Sequence, residues 1–188
     1  QSITWDGVTT IKNNAFESSG LTSIAFLTKL TTIESKAFSL CLSLTSVSWP
    51  VSITSSATDV FEGCSSLLTA PKLPATTLTE GCYQYLFKDC TSLTTAPDLV
   101  AKTLLAGCYY RMFQGCKKLN YIKMLGTTLN TQSTYKWVEN VAANGTFVKD
   151  SNMTSLSVDV NGIPKGWAVI NYKESNLITF YIDSTEYQ

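Results

Sequence analysis

Five phenylalanines, Phe16, Phe38, Phe61, Phe87 and Phe113, stand at intervals of 22, 23, 26 and 26 residues, and each heads a copy of one pattern. A self-similar period of this length marks a solenoid, because a coil of two dozen residues cannot bury its apolar side alone and must share it with a neighbour. The surrounding columns agree. An apolar residue precedes each phenylalanine (Ala15, Ala37, Val60, Leu86, Met112), and three positions after it come Ser19, Cys41, Cys64, Cys90 and Cys116. Leu21, Leu44, Leu67, Leu93 and Leu119 follow, and three residues after them Ile24, Val47, Ala70, Ala96 and Ile122.

These columns predict a stack of about five thin coils over residues 1–125, with one ladder of phenylalanines and another of leucines at its centre. The Leu-x-x-Ile/Val/Ala segment reads as a short strand. The apolar-Phe segment before it reads as a short helical or 3-10 turn, and Trp49-Pro50, Pro71 and Pro97 break regularity between coils. Five positions before the phenylalanine, Cys82 and Cys108 stand where earlier copies have Ile11 and Ile33, so cysteine there serves as a small apolar core residue. Stacked free thiols are therefore the expected state; a disulfide between coils would need Cα atoms about 5–6 Å apart and the right dihedral.

Ala37 to Val47, read as Ala-Phe-x-x-Cys-x-x-Leu-x-x-Val, is the most specific stretch, followed by FEGCSSLLTAP, FKDCTSLTTAP and the linker APKLPATTL at Ala70 to Leu78. Over roughly residues 8–125 this pattern resembles the BspA-like leucine-rich repeats of bacterial cell-surface proteins. The resemblance implies a leucine-rich repeat solenoid of α/β class, a secreted or cell-surface location, and adhesion to a host or matrix protein or a glycan. The first copy departs from the pattern: Glu17-Ser18-Ser19-Gly20 is one residue shorter and lacks the cysteine.

After Leu125 the pattern fades. Ser133 or Thr134 could cap a helix with Tyr135, Val138 and Val141-Ala142 on its apolar face. Asn144-Gly145 reads as a turn, Thr146-Phe147-Val148 as a strand, and Gly162 to Trp167 as a tight turn into a strand at 167–172. Residues 126–172 are thus expected to form a C-terminal cap over the open end of the stack, similar to the segment that follows such repeats in related surface proteins. Residues 173–188, with Leu177 to Ser184 strand-like, read as a terminal strand or the start of a further domain. The opening residue Gln1 fits a removed leader or a piece of a longer chain.

Composition narrows the function. Fourteen basic residues balance fourteen acidic ones, and Arg111 is the single arginine, which gives no electrostatic case for nucleic acid or an anionic membrane. No run approaches 18 apolar residues, so no spanning helix is expected. With no histidine, the Ser-His-Asp and Cys-His arrangements are excluded, and the common zinc sets with them. Ser133 and Lys136 fit Ser-x-x-Lys, but the partner motifs are missing. The carboxylates Glu34, Asp59, Glu62, Glu80, Asp89 and Asp98 fall about one per coil, not as a facing pair. No enzyme, metal or cofactor is expected, and a monomer is.

The candidate surface is the outward side of the strand ladder: Thr22, Thr45, Ser46, Thr69, Thr94, Thr95, Asn120, Tyr121 and Lys123. Stacked, these would form a hydroxyl-rich strip across the coils, although threonine also suits any exposed strand. A binding module for a host protein or glycan is the leading expectation. The alternative is a structural spacer that displays another domain on a bacterial surface or virion.

Overall fold

The computed structural model describes residues 7–25, 29–49, 58–129, 132–154 and 156–173. The expected Leu177–Ser184 strand lies outside them. The described residues form nine short strands: β1 (Thr10–Ile11), β2 (Ser23–Ile24), β3 (Thr32–Ile33), β4 (Ser46–Val47), β5 (Thr103–Leu104), β6 (Tyr121–Met124), β7 (Thr128–Leu129), β8 (Thr146–Asp150) and β9 (Ala168–Tyr172). Every pairing is parallel, and partners lie one coil apart. The chain is a parallel β-solenoid of about six turns.

One ladder runs almost the length of the stack. Ser23 pairs with Ser46, and single bridges carry it through Thr69 and Thr95 to Tyr121. From there β6, β8 and β9 carry it through Thr146 to Ala168. A second ladder on another side of the coil holds β1 with β3, and β5 with β7. The alternation in each strand decides what points inward: Ile24, Val47 and Ile122 are buried behind exposed or half-buried Ser23, Ser46 and Tyr121.

The phenylalanine column forms as expected. Phe16, Phe38, Phe61, Phe87 and Phe113 stack with centroid separations of 5.3, 5.8, 5.9 and 5.9 Å and interplanar angles of 18° or less. Phe16, at the first coil, is only half-buried, while the other four are fully enclosed. Leu44, Leu67, Leu93 and Leu119 form the second column, each fully buried.

The turns carrying these phenylalanines are not helical or 3-10, and the described residues contain no helix. The reason lies in the backbone. Asn14 and Ser18, Lys36 and Leu40, Asp59 and Gly63, Tyr85 and Asp89, Arg111 and Gly115, and Lys136 and Asn140 all have φ between 50° and 77°. A left-handed residue at every fourth position cannot continue a right-handed helix. It turns alternate amides along the stack instead. Ala15, Glu17 and Ser19 donate to the carbonyl three residues back, whereas Asn14, Phe16 and Ser18 donate to Ser35, Ala37 and Ser39 of the next coil. The turns are therefore bonded from coil to coil just as the strands are. Non-glycine residues in this region cost roughly 1–2 kcal/mol each, which the inter-coil bonds and the enclosed rings offset. At Gly115 a Cβ would lie 2.0 Å from Asp89 Oδ1 of the preceding coil, so a side chain there would require the Asp89 carboxylate to move.

The cysteine column also has a bonding role. The Sγ atoms of Cys41, Cys64, Cys90 and Cys116 lie 3.0–3.1 Å from the carbonyls of Phe16, Phe38, Phe61 and Phe87 and donate to them across the coil interface. All six cysteines are free and buried. Burial pushes the Cys90 and Cys116 thiols well above the ordinary range, so they remain protonated donors.

The register continues beyond Leu125, which raises the coil count from the expected five to about six. Phe61 and Phe87 donate their amides to Leu86 and Met112, and Phe113 donates to Trp137 in the same way. Val138 thus takes the phenylalanine place, and Trp137 the apolar place before it. The expected helix over Tyr135–Ala142 is absent because Lys136 and Asn140 are left-handed, at φ 50° and 62°. Trp137 is fully buried; it packs on Tyr109, Phe113 and Phe147 and donates Nε1–H to the Gly162 carbonyl at 2.8 Å. Trp167 donates to the Ala142 carbonyl at 2.8 Å. At Gly145, between the two, a Cβ would meet the Asn120 carbonyl oxygen at 2.4 Å, so only glycine lets β6 and β8 approach. Beyond β8, β9 is the last strand among the described residues, and its Val169 and Ile170 are exposed, at 45% and 52%.

One ion pair ties the two sides of the coil near this end. Lys102 Nζ lies 2.9 Å from Asp150 Oδ2, and the Asn152 amide donates to Asp150 Oδ1. The Asn152 amide, and after it the Lys102 ammonium, hold the Asp150 carboxyl below the usual carboxylate range. A depressed carboxyl stabilises the fold above its ordinary pKa of about 4 and loses that contribution as pH falls through the folded value. Asp150→Asn is therefore expected to lower the denaturation midpoint at pH 7 and to close the gap to wild type below about pH 4. A gap that stays constant from pH 7 to pH 2 would remove the ion pair from the account.

Candidate functional site

Every residue of the expected strip lies among the described residues, and the ladder brings most of them onto one face. Ser46, Thr69, Thr95 and Tyr121 are direct neighbours on successive coils. Thr45, Thr94 and Asn120 immediately precede Ser46, Thr95 and Tyr121, Thr22 precedes Ser23 at the start of the ladder, and all four are also exposed. The leucine one place further back turns inward, so both residues between the buried columns face solvent. The strip has one apolar member, Leu68, which is 54% exposed beside Thr69.

The hydroxyls are partly used within the stack: Thr45 Oγ1 donates to the Thr22 carbonyl at 3.0 Å. Lys123 is also engaged. Its Nζ pairs with Asp98 Oδ2 at 2.9 Å and lies 4.9 Å from the Tyr172 ring centroid. The Asp98 hydrogen bond, opposed by partial burial, raises the Lys123 ammonium above the usual lysine range. Lys123 is thereby fixed as a cation at the strip's end. Asp98 also lines a hollow of about 480 Å³ with Lys72, Leu73, Pro74 and Val100, which opens beside this end of the strip.

Thr146 and Tyr172, which are not in the expected strip, extend the same face. Thr146 stands directly beside Tyr121 in the ladder, and Tyr172 covers Lys123. The signal in the sequence is the Thr-Phe-Val segment 25 residues after Tyr121-Ile122-Lys123, which by itself reads as a cap strand.

Ser133, of the Ser-x-x-Lys match, is fully buried, and Lys136 pairs with Glu139 at 3.2 Å. Among the described residues, no group of three or more histidine, cysteine, aspartate or glutamate side chains is placed to hold a metal ion. No helix among them is long and apolar enough to cross a membrane.

Short parallel strands, left-handed turns and stacked columns of phenylalanine, cysteine and leucine define a leucine-rich repeat solenoid, a fold that serves typically as a non-catalytic scaffold for protein binding. The BspA type leucine rich repeat region matches residues 9–140 in six copies, and the chain belongs to that family. Six copies ending at 140 agree with the register that places Trp137-Val138 in the repeat. Among solved structures, the chain is similar to the crystal structure of the T. pallidum leucine rich repeat protein, with 20% identity and a TM-score of 0.43, over 78% of this chain and 72% of that one. A search of curated proteins finds no match.

Proposed function

We propose that this chain is a non-enzymatic binding module, secreted or held on a bacterial cell surface, that acts as a monomer and presents its strand ladder to a host or matrix protein or to a glycan. The observation that supports this most directly is the continuous in-register ladder from Ser23 through Ser46, Thr69 and Thr95 to Tyr121, which places solvent-facing polar side chains on neighbouring coils along one face. Such extended faces are where repeat proteins bind. The fixed Lys123 cation and the adjoining hollow beside Asp98 add charge and relief at one end.

A spacer that displays a further domain is the rival reading. It is favoured by the Thr45 hydroxyl, whose proton goes to the coil below instead of to a ligand.

A glycan and extracellular-matrix protein array, run with wild type and with a strip variant, separates the two. The variant carries Thr45→Lys, Thr69→Glu, Thr95→Lys and Tyr121→Glu, so that neighbouring new charges are opposite in sign and do not destabilise the ladder. Wild-type binding that is lost in the variant, at an unchanged melting temperature, is the expected result. Binding that survives in the variant would move the site off this face. No binding by wild type to any array member would put the spacer ahead.

A further inference from the structure

On the turn side of the stack, away from the strand ladder, three tyrosines 25 residues apart come together. Tyr110 stacks on Tyr135 with centroids 5.1 Å apart, and Tyr85 meets Tyr110 edge-on at 5.4 Å. The single arginine of the chain lies in this cluster. The Arg111 guanidinium is 5.5 Å from the Tyr110 ring centroid and 5.9 Å from that of Tyr135. Tyr135 is 39% exposed, while Tyr85, Tyr110 and Arg111 are half-buried.

The charges around the cluster are unevenly matched. Lys88, over Tyr85, is neutralised by Glu62 and Asp89; Lys136, over Tyr135, is neutralised by Glu139. Arg111 has no carboxylate within ion-pairing distance among the described residues, and its buried Nε–H has no acceptor. A partly desolvated guanidinium held against two aromatic faces is costly to leave without an anion, and it is pre-oriented to take one through its terminal N–H groups. Tyrosine and arginine in a tight cluster are also the composition of a protein-binding hot spot.

We propose that Tyr85, Tyr110, Arg111 and Tyr135 form a docking site for a carboxylate-bearing segment of a partner protein, in which a glutamate or aspartate pairs with Arg111 and an adjoining apolar side chain packs on the exposed tyrosine. A glycan fits less well. A neutral sugar brings no anion to Arg111, and Tyr110 has no open face for stacking because Tyr135 and Arg111 cover it. The site is independent of the strand-ladder reading, since it uses none of those residues.

Because Arg111 is the only arginine, arginine-selective ¹⁵N labelling of the full chain gives one Nε–Hε signal. The probes are a capped octapeptide of alternating glutamate and leucine, its glutamine–leucine counterpart, and tetragalacturonate. The acidic peptide is expected to shift the signal saturably below about 1 mM, and the other two to leave it unmoved. In fluorescence anisotropy with the labelled acidic peptide, Arg111→Lys should weaken binding about tenfold or more, because an ammonium cannot form the forked pair. That variant keeps the charge, and lysine already occupies the same left-handed column at Lys36 and Lys136, so folding is preserved. Tyr135→Ala should also weaken binding, and the four-residue strip variant should not. The proposal is overturned by no saturable shift up to about 10 mM, by an equal response to the glutamine peptide, by saturable binding of tetragalacturonate, or by loss of peptide binding in the strip variant.

Discussion

Phe87→Ala is expected to destabilise the chain by about 3–5 kcal/mol, a fall on the order of 10 °C in melting temperature at about 2–4 °C per kcal/mol for a chain of this size. Phe87 is fully buried and lies 5.9 Å from the rings of both Phe61 and Phe113, so truncation removes two stacking contacts and leaves a cavity spanning two coil interfaces. The walls cannot collapse readily, because the backbone on either side is bonded to its neighbours: Phe61 donates to Leu86, and Phe87 to Met112. Phe16→Ala tests the cause. Phe16 is only half-buried at the first coil, so its loss should cost about 1–2 kcal/mol. Equal losses at the two positions, read from denaturant midpoints, would mean that the ring stack does not set stability.

The contrast between these two residues also explains which parts of the fold were legible in the sequence. A buried column repeats because each coil must supply the same shape at the same place; the phenylalanine, cysteine and leucine spacings therefore gave the solenoid directly. The cysteine column was readable as buried, but the bond each thiol makes to a phenylalanine carbonyl was not, since an apolar residue of similar size would fit the same pattern. The turns were misread for a different reason. Their hydrogen bonds come from left-handed residues at every fourth position, and several of those are Lys36, Leu40, Tyr85 and Arg111, which carry no turn signature. The local hints were Gly63 and Gly115, with Asn14, Asp59, Asp89 and Asn140, residue types that enter this region most readily.

The sixth copy was hidden by substitution. Val138 replaces the phenylalanine, Val141 the cysteine and Asn144 the leucine, while the volume missing from the phenylalanine place is supplied by Trp137 one residue earlier. Conserved volume with shifted identity defeats a column-by-column reading. Most of the strip residues share one face because each stands between the inward leucine and the inward Ile, Val or Ala three places on. The tyrosine cluster was not anticipated even though Tyr85, Tyr110 and Tyr135 are evenly spaced. Tyr85 shares its left-handed column with Arg111, whereas Tyr110 and Tyr135 sit in the column before, so the alignment never brought the three together.

A chain ending at Leu125 should aggregate, or melt progressively from its C-terminal end at a temperature well below that of the full chain. We propose that residues 126–172 close the stack, and the contacts they make set the size of the effect. Tyr109, Arg111, Phe113 and Gly115 donate their amides to Ser133, Tyr135, Trp137 and Glu139, and all four acceptors would be lost. The pairing of Tyr121 through Met124 with β8 would go with them. Tyr109, Phe113, Ile122 and Met124, each at most 1% exposed in the full chain, would face solvent together. Several buried side chains at about 1.5–3 kcal/mol each exceed what a chain of marginal stability can lose from one end. In a solenoid such a loss propagates inward from coil to coil, because each repeat is held mainly by its neighbours. A chain ending at Lys173 keeps all these contacts and should melt well above the 1–125 chain. Amide hydrogen exchange would show the difference directly, with protection in the 1–125 chain falling first around Phe113 and last around Phe38. A 1–125 chain as soluble and cooperative as the full one would instead make 126–172 a unit that folds apart from the repeats.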